Sequence, residues 1–257
     1  MTISTTCLDR ASIEFHPAPD ALKPFTGCFW ILSAEAGATI RLVPDGTVAI
    51  ALEVPPRGRP AWQLRGPLLR PAERRFAAPT TTVGVRLRPG VGFLVTGVPA
   101  HTLVDRSIDL ASIDSAPETA ADAIDGLQRW LIDRLRGATV HPLVAAALRE
   151  LSAEGGAIPI PNLSARCGVT ARHLHRLMRR WVGYGPKRYA AIVRFQSTLG
   201  RMEEAPGQPA AALASDGGYF DQAHLALEVG RFAGATPGRL RAQAASDLSK
   251  TRCDDLP

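Results

Sequence analysis

Basic side chains recur on one side of a short segment in the last third of the chain. Arg172, His175, Arg176 and Arg179 fall at i, i+3, i+4 and i+7, so a helix opening after Thr170 carries all four on a common face. Leu174, Leu177, Met178, Trp181 and Val182 fill the other, apolar side. A guanidinium donates two parallel hydrogen bonds to O6 and N7 of guanine, or clamps a phosphate. The chemistry indicated is recognition of a polyanion rather than bond making. The first residues of such a helix reach bases, so Arg172, His175 and Arg176 are the expected readers. Arg179 and Arg180 are expected on the phosphate backbone, with Thr170 at the helix start beside them.

The surrounding segment occurs twice. Leu163–Gly168 (LSARCG) returns as Leu213–Gly218 (LASDGG), fifty residues later. Downstream the offset becomes 51: Leu174 corresponds to Leu225, Trp181 to Phe232, Gly183 to Gly234, and Pro186 to Pro237. The extra residue falls in the turn, where a helix need not rotate its apolar face to absorb it. Each copy reads as a helix ending on Gly, a short turn, and an N-capping residue (Thr170 or Asp221) opening a second helix. The second copy offers Gln222 as a base reader, since Gln pairs with adenine N6 and N7. Asp221 and Arg231 are placed beside phosphates. Leu227 stands where an outward Arg would be useful and Glu228 is acidic, so this half is expected to bind mostly by shape and phosphate contact. Between the copies, Pro186 opens a helix through about Met202, roughly 25 Å long at 1.5 Å per residue. Such a rod suits two recognition helices set near the ~34 Å spacing of successive major-groove faces.

The elements that hold these helices divide the chain. The first 110 residues alternate short extended segments with Gly and Pro: Cys28–Ser33, Thr39–Val43, Thr47–Val54, Ala61–Leu69 and Thr82–Leu87. Val43–Gly46 and the Pro55–Gly58 run are turn signals between them. From Ser115 to Arg136, Ala123, Ile124, Leu127, Trp130, Leu131 and Leu135 repeat at helical spacing, and Ser115 with Glu118 has the form of a capping box. This stripe fits either its own domain or a second copy of the chain. From His141 everything reads as helix, beginning with Pro142–Glu154.

The fold class is therefore α+β and multidomain. A β-rich N-terminal domain, small barrel or sandwich, precedes an all-α C-terminal domain with two helix-turn-helix units joined by a linker helix. The expected boundaries are 1–114 for the β-rich domain, 115–140 for the connecting helix and linker, 141–245 for the DNA-binding domain, and 246–257 for a polar tail. Its two units lie at about 160–182 and 209–232.

Charge follows this division. Residues 1–140 hold 15 basic and 14 acidic side chains, whereas 141–245 hold 13 and 7. Residues 170–202 carry eight basic side chains and no acid, a local field that attracts a polyanion. No stretch approaches the roughly 18 apolar residues that span a bilayer, and the N-terminus lacks the apolar core of a secretory signal. A cytoplasmic location without membrane contact is expected.

Enzyme chemistry finds little support. His173 and His175 point about 200° apart on a helix, and His16, His101 and His141 stand alone. No G-x-S-x-G, P-loop, H-E-x-x-H or dinucleotide fingerprint occurs, and neither a metal nor a cofactor is expected. Asp45 and Asp105 fall in turn-like contexts that structural capping explains. Cysteines 7, 28, 167 and 253 are scattered, which suits reduced thiols better than a disulfide framework, and Cys28 in its apolar strand lacks the setting of a reactive thiol.

The segments 163–189 (LSARCGVTARHLHRLMRRWVGYGPKRY) and 213–241 (LASDGGYFDQAHLALEVGRFAGATPGRLR) resemble the DNA-binding domain of the AraC/XylS family of bacterial transcription regulators, most specifically in GYFDQAHL followed by FAGATPGR. The resemblance implies seven helices, two helix-turn-helix units on a rigid linker, and an N-terminal domain that senses an effector or mediates dimerisation. It places base contacts at Arg172, His175 and Arg176, and at Gln222 and Leu227, with departures from the family's pattern at Leu227, Val229 and Gly230. Residues 20–110 resemble, more loosely, the N-terminal part of one branch of these regulators. The implied partners are a promoter site in double-stranded DNA, a small-molecule effector, a second copy of the chain and RNA polymerase. Phe29, Trp30 and Trp62 are the aromatic side chains available to line an effector cavity, Trp30 and Trp62 foremost. A module used only for dimerisation or protein–protein contact, without ligand, fits the same residues.

Overall fold

The computed structural model describes residues 4–8, 10–54, 57, 60–110 and 120–244. The Ser115/Glu118 capping box, most of the Pro55–Gly58 turn, the tail 246–257 and Cys253 lie outside the described residues. Nine strands are described: β1 (Ser4–Leu8), β2 (Ala11–His16), β3 (Thr26–Ala34), β4 (Thr39–Leu42), β5 (Val48–Val54), β6 (Ala61–Arg65), β7 (Ala72–Arg75), β8 (Thr80–Leu87) and β9 (Ser107–Asp109). Seven form one antiparallel sheet in the order β1-β2-β3-β8-β5-β6-β9, and β4 pairs with β7 as a separate ribbon.

Side chains alternate across this sheet, so each strand serves two environments. Phe29, Ile50, Leu52, Trp62, Leu64, Val83, Val85 and Leu87 form one face. Helix α2 (Ala120–Leu135) covers it with Ala123, Ile124, Leu127, Leu131 and Leu135, all buried in the same cluster. The apolar stripe expected on this helix is therefore spent within its own domain. Ile13, Phe15, Trp30, Leu32 and Ala51 form the opposite face. There the Trp30 indole lies across Gly84, where a Cβ would come within 2.4 Å of the ring, so this cross-strand position tolerates only glycine.

After β8 comes α1 (Val91–Thr96), then a single 3-10 turn at Ala100–Thr102. Seven described helices complete the chain: α3 (Pro142–Ala153), α4 (Ile160–Arg166), α5 (Ala171–Val182), α6 (Pro186–Glu204), α7 (Ala210–Asp216), α8 (Gln222–Ala233) and α9 (Pro237–Ala244). Their common core includes Leu163, Leu174, Met178, Ile192, Phe195, Leu213, Val229 and Phe232, with the Phe195 and Phe232 rings 5.2 Å apart. Helix α6 runs between the two halves of this core as the linker.

Two expectations need correction. Trp62 does not face the same side as Trp30; it packs in the α2-facing core, because the residues directed to the other side of β6 are Gln63 and Arg65. Cys28 is disulfide-bonded, and only Cys167 is a free thiol among the described residues, so scatter along the chain was a poor guide to pairing. Among the described residues no helix is long and apolar enough to cross a membrane, and no group of three or more His, Cys, Asp or Glu is placed to hold a metal ion.

Candidate nucleic-acid interface and interdomain cavity

Helix α5 starts where Thr170 leaves the extended conformation, its Oγ1 accepting a hydrogen bond from the His173 amide at 3.2 Å. It ends at Gly183, whose φ of 98° lies in the left-handed region that terminates helices without a Cβ penalty. Leu174, Met178 and Val182 are buried, which turns Arg172, His175, Arg176, Arg179 and Arg180 outward. No described carboxylate pairs with the four arginines. One Arg176 Nη lies 3.2 Å from His173 Nδ1, and the His175 ring lies against the Gly185 backbone in the turn to α6. Arg180 differs from the others: its guanidinium sits 4.9 Å above the Phe93 ring of α1, and Trp181 meets the same ring edge-on at 4.7 Å. The end of α5 is thus docked on the N-terminal domain while its first two turns are free.

Helix α8 repeats the construction. Asp221 Oδ1 accepts from the His224 amide at 2.7 Å, and Gly234 closes the helix with a φ of 66°. Both cap oxygens, on Thr170 and Asp221, are occupied by their own helices, so what these positions offer a phosphate is the helix start rather than a free side chain. Leu225, Val229, Phe232 and Ala233 are buried, and Gln222, Ala223, Ala226, Leu227 and Arg231 are exposed. Glu228 turns inward: its Oε2 accepts from Arg194 of α6 at 3.1 and 3.2 Å, and Arg194 also stacks over Tyr219. Glu228 thus serves a structural ion pair and is not presented on the outward face.

Arg188, which the sequence did not single out, stands at the start of α6 beside Arg231 and Arg70. Burial first, then the repulsion from Arg231, lowers its basicity. Its position one turn into a Pro-initiated helix was the available signal, but proximity to two cations from distant segments was not readable.

The N-terminal domain clasps the helical one at several points. Gln196 of α6 donates to the Pro44 carbonyl at 2.7 Å, and Tyr184 donates its hydroxyl to the Leu68 carbonyl. Gly183 abuts Pro67 and Val104, while Gly234 abuts Pro71. Burial raises the Tyr184 and Tyr189 hydroxyl groups well above the usual phenol range, so both stay neutral donors.

Between the domains lies a cavity of about 1500 Å³. The sheet face opposite α2 supplies Ile13, Phe15, Trp30 and Leu32, whereas Leu148, Tyr189, Val193 and Met202 come from helices α3 and α6. Charge is concentrated on β5, β6 and β7. Arg65 and Arg74 both reach Glu53 Oε1 at 2.6 Å, so two guanidinium groups share one carboxylate. Burial, then the neighbouring Arg65 charge, pushes Arg74 down to about 10. One Nη of Arg74 and one of Arg41, which pairs with Glu73 at 2.9 Å, are buried without a described hydrogen-bond partner. Trp30 thus lines the cavity; the arginines that give it polarity were not anticipated, because the three strands that carry them meet only in the fold.

Residues 163–243 match the family described as a helix-turn-helix domain, and residues 13–109 match a domain of unknown function (DUF6597). No curated protein matches the chain significantly. Among solved structures, ToxT from Vibrio cholerae is similar at 8% identity and a TM-score of 0.46, covering 83% of this chain and 97% of that one. ToxT bound to (E)-4-(8-methylnaphthalen-1-yl)but-3-enoic acid gives 7% identity and a TM-score of 0.48 over the same shares. With its paired helix-turn-helix units on a linker helix, the segment 163–243 is an AraC-type helix-turn-helix domain, a fold that binds DNA.

Proposed function

We propose that the protein acts in the cytoplasm on a promoter site in double-stranded DNA, entering the major groove with α5 and α8, and that a small molecule in the interdomain cavity sets its DNA-binding state. The observation that carries the DNA reading is the exposed cationic stripe of α5, unpaired with described carboxylates. Arg172, His175 and Arg176 read bases in this proposal and Arg179 holds phosphate; Arg188 and Arg231 form a second phosphate contact. Fluorescence anisotropy of the full chain on a site selected from random duplexes tests it. Arg172→Ala or Arg176→Ala should each cost about 1–3 kcal/mol and relax base preference. Unchanged affinity and preference in both would overturn the assignment.

The effector reading rests on the cavity's two-domain walls and its surplus of buried cationic donors. A molecule placed there touches the sheet and α6 together, so its binding energy can differ between domain arrangements, which is the condition for a ligand to shift them. Two arginines on one carboxylate favour a ligand with an anionic group, and Trp30 and its apolar neighbours favour an apolar body. Thermal-shift screening of the full chain against small carboxylates and phosphates should find compounds that raise the melting point by mass action. Arg74→Met should abolish that shift. If no compound shifts the melting point while protein concentration does, the domain is a dimerisation or interaction module instead. The apolar stripe of α2 no longer supports that alternative, since it is buried on its own sheet. Contact with RNA polymerase and homodimerisation would then use other surfaces.

A further inference from the structure

The two recognition helices have the same setting but opposite chemistry. At an offset of 51, Arg172, His175, Arg176, Arg179 and Arg180 of α5 correspond to Ala223, Ala226, Leu227, Gly230 and Arg231 of α8. The two helices bury matching positions: Leu174, Met178 and Val182 against Leu225, Val229 and Ala233. The outward face is thus the same face of the motif, cationic throughout in the first unit and, until Arg231 at its far end, uncharged in the second. Leu227 is 72% exposed, and Phe220, in the turn before α8, is 93% exposed. Single exposed apolar residues are ordinary. Leu227, however, stands on the face whose twin is built to meet DNA, and Phe220 lies in the turn that leads into that helix.

We infer that α8 reads an A·T-rich half-site by apolar contact of Leu227 with thymine C5-methyl groups, while Gln222 pairs with adenine. The inference rests on the DNA-binding reading given above. The methyl of thymine is the apolar group that base pairs present in the major groove, and it is met by small or apolar side chains. Cations accompany the patch as a phosphate backbone requires: Arg231 follows on the same helix, and Arg188 stands beside it. Glu228, the one acid of α8, is held away from this face by Arg194. Specificity in the second unit is therefore direct, not a matter of shape and phosphate contact alone.

The test uses the full chain. Sites are selected from random duplexes with the wild-type protein, Arg172→Ala and Leu227→Ala. The half-site whose preference Arg172→Ala relaxes belongs to α5; the other belongs to α8. Thymines of the α8 half-site are then replaced by deoxyuridine, which removes the methyl and leaves the pairing edge intact. Each methyl contacted should be worth about fourfold in affinity, the equivalent of one buried methylene. Leu227→Ala should abolish that thymine-over-uracil ratio, and the α5 half-site should be indifferent to uracil. Leu227 is mostly exposed, so the variant keeps its fold, which an unchanged melting point verifies. An α8 half-site without base preference, a uracil-insensitive one, or a ratio untouched by Leu227→Ala would overturn the inference. The exposed patch would then belong to a protein partner, or α8 would rest on the backbone only. If no site at all is selected, the DNA reading fails, and this inference fails with it.

Discussion

The two helix-turn-helix units are built alike and anchored differently. In the first, the far end of α5 is fastened to the N-terminal domain through Arg180 and Trp181 on Phe93, and Tyr184 reaches the Leu68 carbonyl. In the second, α8 is fastened to the linker through Arg194 and Glu228, and the N-terminal domain touches it mainly where Pro71 meets Gly234. The buried positions therefore define the motif, while the outward ones are free to follow whatever they bind. The unequal anchoring also means the N-terminal domain holds the cationic unit more directly than the apolar one. A ligand that shifts the sheet against α6 should therefore act first on how α5 is presented.

Removing the cationic stripe should have the largest effect on the first unit. Arg172→Ala combined with Arg176→Ala should lower affinity for the selected site by at least about thirtyfold, given about 1–3 kcal/mol for each base-reading arginine. Binding to unrelated duplexes should fall far less. If site-specific binding survives, α8 carries recognition and the cationic face is only an electrostatic guide. Next in size, Glu228→Ala leaves Arg194 half-buried without its partner and should cost about 2 kcal/mol of stability, typical of a charged hydrogen bond. Denaturant unfolding measures the loss, and amide exchange should localise it to α7 and α8. Equal loosening around α5 would show that the two anchors are one cooperative unit.

A smaller effect tests the anchor of the first unit. Arg180 can serve a phosphate only by leaving the Phe93 ring. If it does, Arg180→Ala should weaken all sequences alike and reduce the slope of log affinity against log salt by about 1. An unchanged slope would mean that Arg180 stays on Phe93 when DNA is bound, and that its role is to join the domains.

What could be read from the sequence was what is local. The repeat, its caps at Thr170 and Asp221, the outward arginines and the linker helix all follow from spacing within a few turns. The same holds for the apolar stripe of α2, although which surface it covers depended on the sheet. Grouping Phe29, Trp30 and Trp62 at one cavity overlooked the period of two: it puts the adjacent Phe29 and Trp30 on opposite faces, and Phe29 and Trp62 in the α2-facing core. Helix α1 was missed because VGFLVT between Gly90 and Gly97 has the apolar character of a strand. The polar end of the cavity was unreadable: Glu53, Arg65 and Arg74 come from three strands whose pairing and sheet faces bring them together only after folding. β7, with the sequence AERR, carries no periodic signal at all.

The smallest prediction concerns Gly230, the residue of α8 that replaces Arg179 of α5. Nothing lies within 4 Å of the Cβ that alanine would add there, so the substitution meets no clash in the free protein. Alanine in a helix interior is favoured over glycine by about 1 kcal/mol, so Gly230→Ala should raise the stability of the domain by up to that amount. A thermal or denaturant melt of the full chain checks this. Stability alone does not separate the readings of the outward face; affinity does. If α8 lies in a groove with its backbone close to the bases, the added methyl must be accommodated there, and Gly230→Ala should bind the selected site no better, or more weakly, despite its firmer helix. If instead affinity rises in step with stability, α8 stands off from the groove floor, and the contrast between a base-reading α5 and a methyl-reading α8 must be given up.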